Sequence, residues 1–117
     1  MAYTKITQEE AKYLMDTRDD ILIVDVRNPE EFAEGHIPHA INIPNPSITN
    51  RDIPELPDKN QELLVYCRSG QRSEIASKKL DILGYQNIKD FGGILDWKYE
   101  VELNAPFMLK TIQKCLK

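Results

Sequence analysis

This sequence predicts an α/β domain whose central sheet is mainly parallel and flanked by helices on both faces. Short apolar runs alternate with amphipathic helical patterns along the chain, the order from which such sheets are built. Two of the runs, Ile21–Val26 and Leu63–Tyr66, are apolar almost throughout, as in strands covered on both sides. A length of 117 residues suits one hydrophobic core and leaves little room for a second. Residues 1–117 are therefore read as a single domain.

The first helix opens at Thr7-Gln8-Glu9-Glu10, where Thr7 and Glu10 have the spacing of a capping box. Ala11, Leu14 and Met15 continue it as an apolar stripe. The strand Ile21–Val26 follows. Asn28 is then placed to cap a short helix with Pro29 in its first position, and Gly35 to end it in a left-handed conformation. Ile41-Asn42-Ile43 reads as a brief strand stopped by Pro44. With Pro46, Pro54 and Pro57 in it, the stretch 45–60 reads as loop with at most one helical turn. Leu63–Tyr66 is the second buried strand and runs straight into Cys67. A helix follows, with Ile75, Ala76, Leu80 and Leu83 at helical spacing and Gly84 as its stop. Asn87–Phe91 is the last strand, closed by Gly92-Gly93. A helix is expected from about Ile94 to Tyr99, and a closing amphipathic helix in the tail, about 104–117.

Composition excludes several classes. With 41% hydrophobic and 29% charged residues, the chain has the profile of an ordinary globular protein. Its net charge is -4 and it has no Lys/Arg run, so no nucleic-acid partner is expected. No apolar run is long enough to cross a bilayer, and Met1 to Asp16 lacks the basic start and apolar stretch of an export signal. A cytoplasmic location is the expectation. In that reducing setting Cys67 and Cys115 are not expected to form a disulfide, and they do not have zinc-ligand spacing.

The chemistry gathers at Cys67-Arg68-Ser69-Gly70-Gln71-Arg72-Ser73. A strand ends in a cysteine, a short loop with Gly70 follows, and a helix begins. Ligands in parallel sheets collect at such carboxyl ends. Successive backbone N–H groups and a helix N-terminus can converge on one point there, and Arg68 and Arg72 add positive charge. Such surroundings favour a thiolate, the nucleophilic form of cysteine. Had Cys67 stood alone, a buried inert cysteine would be the better reading; the loop decides otherwise.

That loop resembles the active-site loop of rhodanese-like domains. Asp25-Val26-Arg27, Glu31-Phe32 and Gly35-His36-Ile37-Pro38-His39-Ala40-Ile41-Asn42-Ile43-Pro44 are similar to the early signature of the family. Gly84-Tyr85 and Gly92-Gly93-Ile94-Leu95-Asp96-Trp97 are similar to its late one. The resemblance covers about residues 5–100 in the family's order. It departs at His39, where the family often has Gly. It implies a sulfurtransferase: Cys67 takes a sulfane sulfur from a donor such as thiosulfate or a persulfide, then gives it to a thiol or cyanide. The backbone from Arg68 to Ser73 would hold the terminal sulfur. Arg68, Arg72 and, as a weaker candidate, Arg27 would attract an anionic donor. No metal or organic cofactor is implied. A sulfur-relay protein is a further partner of the kind expected; the oligomeric state stays open.

Two rivals stand beside this reading. Cysteine-dependent phosphatases, some of related fold, place Arg six positions after Cys, whereas here Ser73 holds that position and Arg72 comes one residue early; an arsenate reductase on the same fold is a weaker form of this rival. The shorter loop favours a single sulfur atom over a phosphate. The other rival is a non-catalytic sulfur carrier or binding module, against which the presence of Cys67 speaks. Asp25, Arg27 and Glu31 are expected to be structural, an Arg27–Glu31 pair bracing the adjacent helix. His36 and His39 are too few for a structural zinc site, and His36 is expected to bond backbone in a turn. Cys115 is expected to pack beside Ile112 and Leu116 rather than to act as a resolving thiol. Tyr85, Phe91 and Trp97 are expected in the core or the pocket wall.

Overall fold

The computed structural model describes residues 2–103. The expected tail helix and Cys115 lie outside them. The chain runs β1 (Tyr3–Lys5), α1 (Gln8–Thr17), β2 (Ile21–Asp25), α2 (Pro29–Glu34), β3 (Ile41–Asn42), β4 (Glu62–Cys67), α3 (Gln71–Ile82) and β5 (Asn87–Gly93). Single 3-10 turns lie at Asn45–Ser47 and Ile94–Asp96. The strands form one five-stranded sheet in the order β1-β5-β4-β2-β3, every pairing parallel. β4, which ends in Cys67, is the central strand.

The helices form where local chemistry favours them. Thr7 Oγ1 accepts from the Glu10 N–H at 3.0 Å, and Glu10 Oε1 accepts from the Thr7 N–H at 3.0 Å. This reciprocal cap satisfies two donors that α1 would otherwise leave open. At α2, Pro29 occupies the first turn and the Glu31 carboxylate accepts from the Asn28 N–H at 3.0 Å. Gly35 closes α2 with φ 157 and ψ 128. That is an open glycine conformation, not the left-handed turn its position suggested.

One face of the sheet packs α1 and α2 through Ala11, Phe32, Ile37, Leu64, Tyr66 and Phe91. The other packs α3 through Ala76 and Leu80, together with Val24, Val65 and Tyr85. The proline-rich stretch contributes Ile48, Ile53 and Leu56 to this second layer, so it is loop in form but core in function. Tyr85 anchors it, donating from its hydroxyl to the Leu56 carbonyl at 2.6 Å.

Two expectations are corrected here, and one strand is added. β1 was not foreseen: Tyr-Thr-Lys carries no apolar pattern, and the segment is a strand because it pairs with β5. The helix expected over Ile94–Tyr99 shrinks to one 3-10 turn. Ile75, placed by spacing on the buried face of α3, is 49% exposed, while Ser73 and Ser77 are fully buried.

Candidate active site

β2 connects through α2 on one face of the sheet, and β4 through α3 on the other. Neighbouring strands that send their connections to opposite sides leave a crevice at their carboxyl ends. Cys67 and Arg27 lie at the two lips of that crevice.

The loop turns tightly after Cys67. Gly70 has φ 104, a conformation that a side chain would strain, and it caps α3. Its N–H donates to Cys67 Sγ at 3.0 Å. The start of a twelve-residue helix adds its partial positive charge beside the sulfur. Cys67 itself has no exposed surface, whereas Arg68 and Ser69 are exposed. The Arg68 carbonyl accepts from the Leu95 N–H at 3.1 Å, and Gly93 pairs with Cys67 across the sheet. The loop lies so close over Gly93 that a Cβ there would overlap the Arg68 carbonyl group. Behind the loop, Ser73 Oγ donates to Asp90 Oδ1 at 2.8 Å, and the Gly92 N–H donates to the same oxygen at 3.0 Å. Burial pushes the Asp90 carboxyl above the usual range. The Ser73 side chain thus fastens the loop to β5.

The charged groups pair differently from the sequence expectation. Arg27 bonds Asp25, with Nη2 2.7 Å from Oδ2 and Nε 3.0 Å from each carboxylate oxygen. Its Nη2 also donates to the Gly35 carbonyl at 2.7 Å. Glu31 bonds Arg72 instead, at 2.6 and 3.0 Å. The expected Arg27–Glu31 brace is corrected on this geometry: Asp25 sits two residues before Arg27 on the same strand end and claims it first. The Arg72 hydrogen bonds hold the Glu31 carboxyl down at about 2. Among the described residues no carboxylate pairs with Arg68. Gln71 is exposed at the first turn of α3.

Asp90, Gly93 and the partner of Glu31 were not anticipated as parts of the site. Asp90 had a signal: it lies two residues after Ile88 and so shares that residue's face of the strand, where a buried carboxylate needs a partner. His36 is buried, with Nδ1 2.9 Å from the Phe32 carbonyl and its ring stacked 3.8 Å over Phe32. This is the backbone role expected of it. His39 adopts φ 72, which explains why glycine suits that turn. Tyr85 and Phe91 are buried and Trp97 is half-buried against Phe91.

Fold and site together define a class: parallel α/β domains that present a cysteine in a tight loop between a central strand and a helix N-terminus. The chain belongs to the rhodanese-like domain family, whose model matches residues 7–100. It is 37% identical over 104 residues to a sulfurtransferase of Allochromatium vinosum, covering 87% of this chain and 95% of that one. An adenylyltransferase and sulfurtransferase of Candida albicans is 35% identical over 111 residues, 89% of this chain; the chain spans only 24% of that protein's length. A rhodanese from Escherichia coli solved with anions superposes with a TM-score of 0.65 at 34% identity, covering 71% of this chain and 98% of that one. No helix of the described residues is long and apolar enough to cross a membrane.

Proposed function

We propose that the chain is a rhodanese-type sulfurtransferase that carries sulfane sulfur as a persulfide on Cys67. The observation that carries this reading is the Gly70 N–H on Cys67 Sγ, in a loop packed closely over Gly93 and fastened through Ser73 to Asp90. The relatives named as sulfurtransferases support the reaction class.

In the first step the Cys67 thiolate attacks the outer sulfur of a donor such as thiosulfate. A bond forms between Sγ and that sulfur, the donor's S–S bond breaks, and sulfite leaves with the electron pair. In the second step a thiol, as its thiolate, or cyanide attacks the terminal sulfur. The persulfide bond breaks and its electrons return to Cys67 as thiolate. This is covalent catalysis in two half-reactions. Loop amides supply fixed dipoles for the terminal sulfur, and Arg68 draws the anionic donor. Cys67 is covered, so the outer sulfur of a donor must enter a confined place. That requirement suits a slender sulfur donor better than a bulky phosphate ester. Asp25 and Arg27 satisfy one another and support the lip of the crevice. A protein thiol is the second class of acceptor.

Intact-mass measurement after incubation with thiosulfate tests the proposal. One sulfur is expected on the wild type and none on Cys67→Ser, with the gain erased by cyanide. Cys115→Ser is expected to load normally. If neither thiosulfate nor glutathione persulfide loads the wild type, sulfur transfer is the wrong reading and a binding module takes its place.

A further inference from the structure

We infer that Glu31 sets the charge preference of this site: by holding Arg72 it turns the chain away from dianionic sulfur donors and toward donors of low net charge. The inference rests on the sulfur-transfer reading and deepens it.

Glu31 stands in the first turn of α2 and Arg72 in the first turn of α3. These helices leave opposite faces of the sheet, so their bond crosses the mouth of the crevice. Both terminal nitrogens of Arg72 are engaged, at 2.6 and 3.0 Å from the two oxygens of one carboxylate. This is the bidentate arrangement in which a guanidinium has least left to offer a third group. Arg72 lies five residues after Cys67, in the first turn of the helix that the Cys67 loop opens, so it is placed to meet an anion arriving at the sulfur. Its carboxylate partner arrives with it. Arg27 is closed in the same way by Asp25. Of the three arginines Arg27, Arg68 and Arg72, Arg68 alone has no carboxylate partner among the described residues, and it is exposed to solvent. A dianion such as thiosulfate therefore meets one free cation and the repulsion of Glu31. A donor with no net charge meets neither effect. Glu31 does not touch the sulfur; it is a positioning residue that acts through Arg72.

The test measures the second-order rate of sulfur loading onto Cys67 by intact mass, with three donors. Thiosulfate is a dianion, methanethiosulfonate a monoanion, and thiotaurine a zwitterion without net charge. All three give the same persulfide, with sulfite or a sulfinate as leaving group. Removing one carboxylate charge at the mouth of the crevice is expected to change the logarithm of the rate in proportion to donor charge. For Glu31→Gln the rate with thiosulfate should rise about tenfold relative to thiotaurine, and methanethiosulfonate should fall between them. Glu31→Asp should return toward the wild-type ratio. Arg72→Gln, which leaves Glu31 unpaired, should shift the ratio the opposite way. An equal change for all three donors would mean that Glu31 only braces the loop, and would overturn the inference while leaving sulfur transfer intact. Absence of loading on the wild type by any donor would overturn both.

Discussion

A Cβ atom on Gly93 would lie 2.7 Å from Ser69 Cα and would overlap the Arg68 carbonyl. Neither neighbour is a flexible side-chain end, so backbone must move to admit it. Gly93→Ala is expected to cost about 1–3 kcal/mol, the usual range for overpacking, measured by urea unfolding. It should also abolish sulfur loading, because the atoms displaced belong to the Cys67 loop. Wild-type stability with full loading would show that the loop has slack. The neighbouring glycine, Gly70, was readable from sequence as a loop residue before a helix. Gly93 was readable only as part of a motif: its need is set by a chain segment 25 positions earlier in sequence, and no local pattern reports such a contact. The same holds for Ser73, whose partner Asp90 lies on β5, 17 positions further on. Cys67, by contrast, was legible from the strand and loop that flank it.

Between elements, the Glu31–Arg72 bond is a clamp joining α2 to α3. Its carboxyl has a folded value of about 2 against an ordinary 4.5, so the folded state prefers the ionised form. The stabilisation is therefore full above about 4.5 and is lost as the pH falls through about 2. The pair is partly exposed, which screens it, and about 1 kcal/mol is a fair expectation. Urea unfolding of wild type and Glu31→Gln should differ by about that amount at pH 7. The difference should shrink steadily below pH 4.5. A gap that stays constant down to pH 2 would assign it to packing, not to charge. The partner of Glu31 was misjudged from sequence because four-residue spacing suggested Arg27, and spacing carries no information about which strand end lies closer. The capped helix α1 and the apolar strands β2 and β4 were legible for the opposite reason: cap, period and β-branching all act locally. β1 and the turn at Ile94–Asp96 were not, since the first exists only by pairing and the second ends early at Trp97.

At the scale of the whole molecule, the parallel sheet gives every strand the same direction, so all carboxyl ends, with Cys67 and Arg27, come to one end. Stability should follow the sheet order. Amides of β4, paired on both sides and buried from Leu63 to Cys67, are expected to exchange with solvent only through global unfolding. Those of β1, which among the described residues has a partner on one side only, should exchange at least tenfold faster by local fraying, as read by native-state hydrogen exchange. Equal protection across β1 and β4 would mean that the sheet opens only as a unit. The edges of this sheet are also its shortest members, three residues in β1 and two in β3. An edge that short offers a stranger's backbone few free amides and carbonyls, and long open edges are the templates on which chains add to one another. On this count the edges of the sheet formed by the described residues give another chain little backbone to pair with.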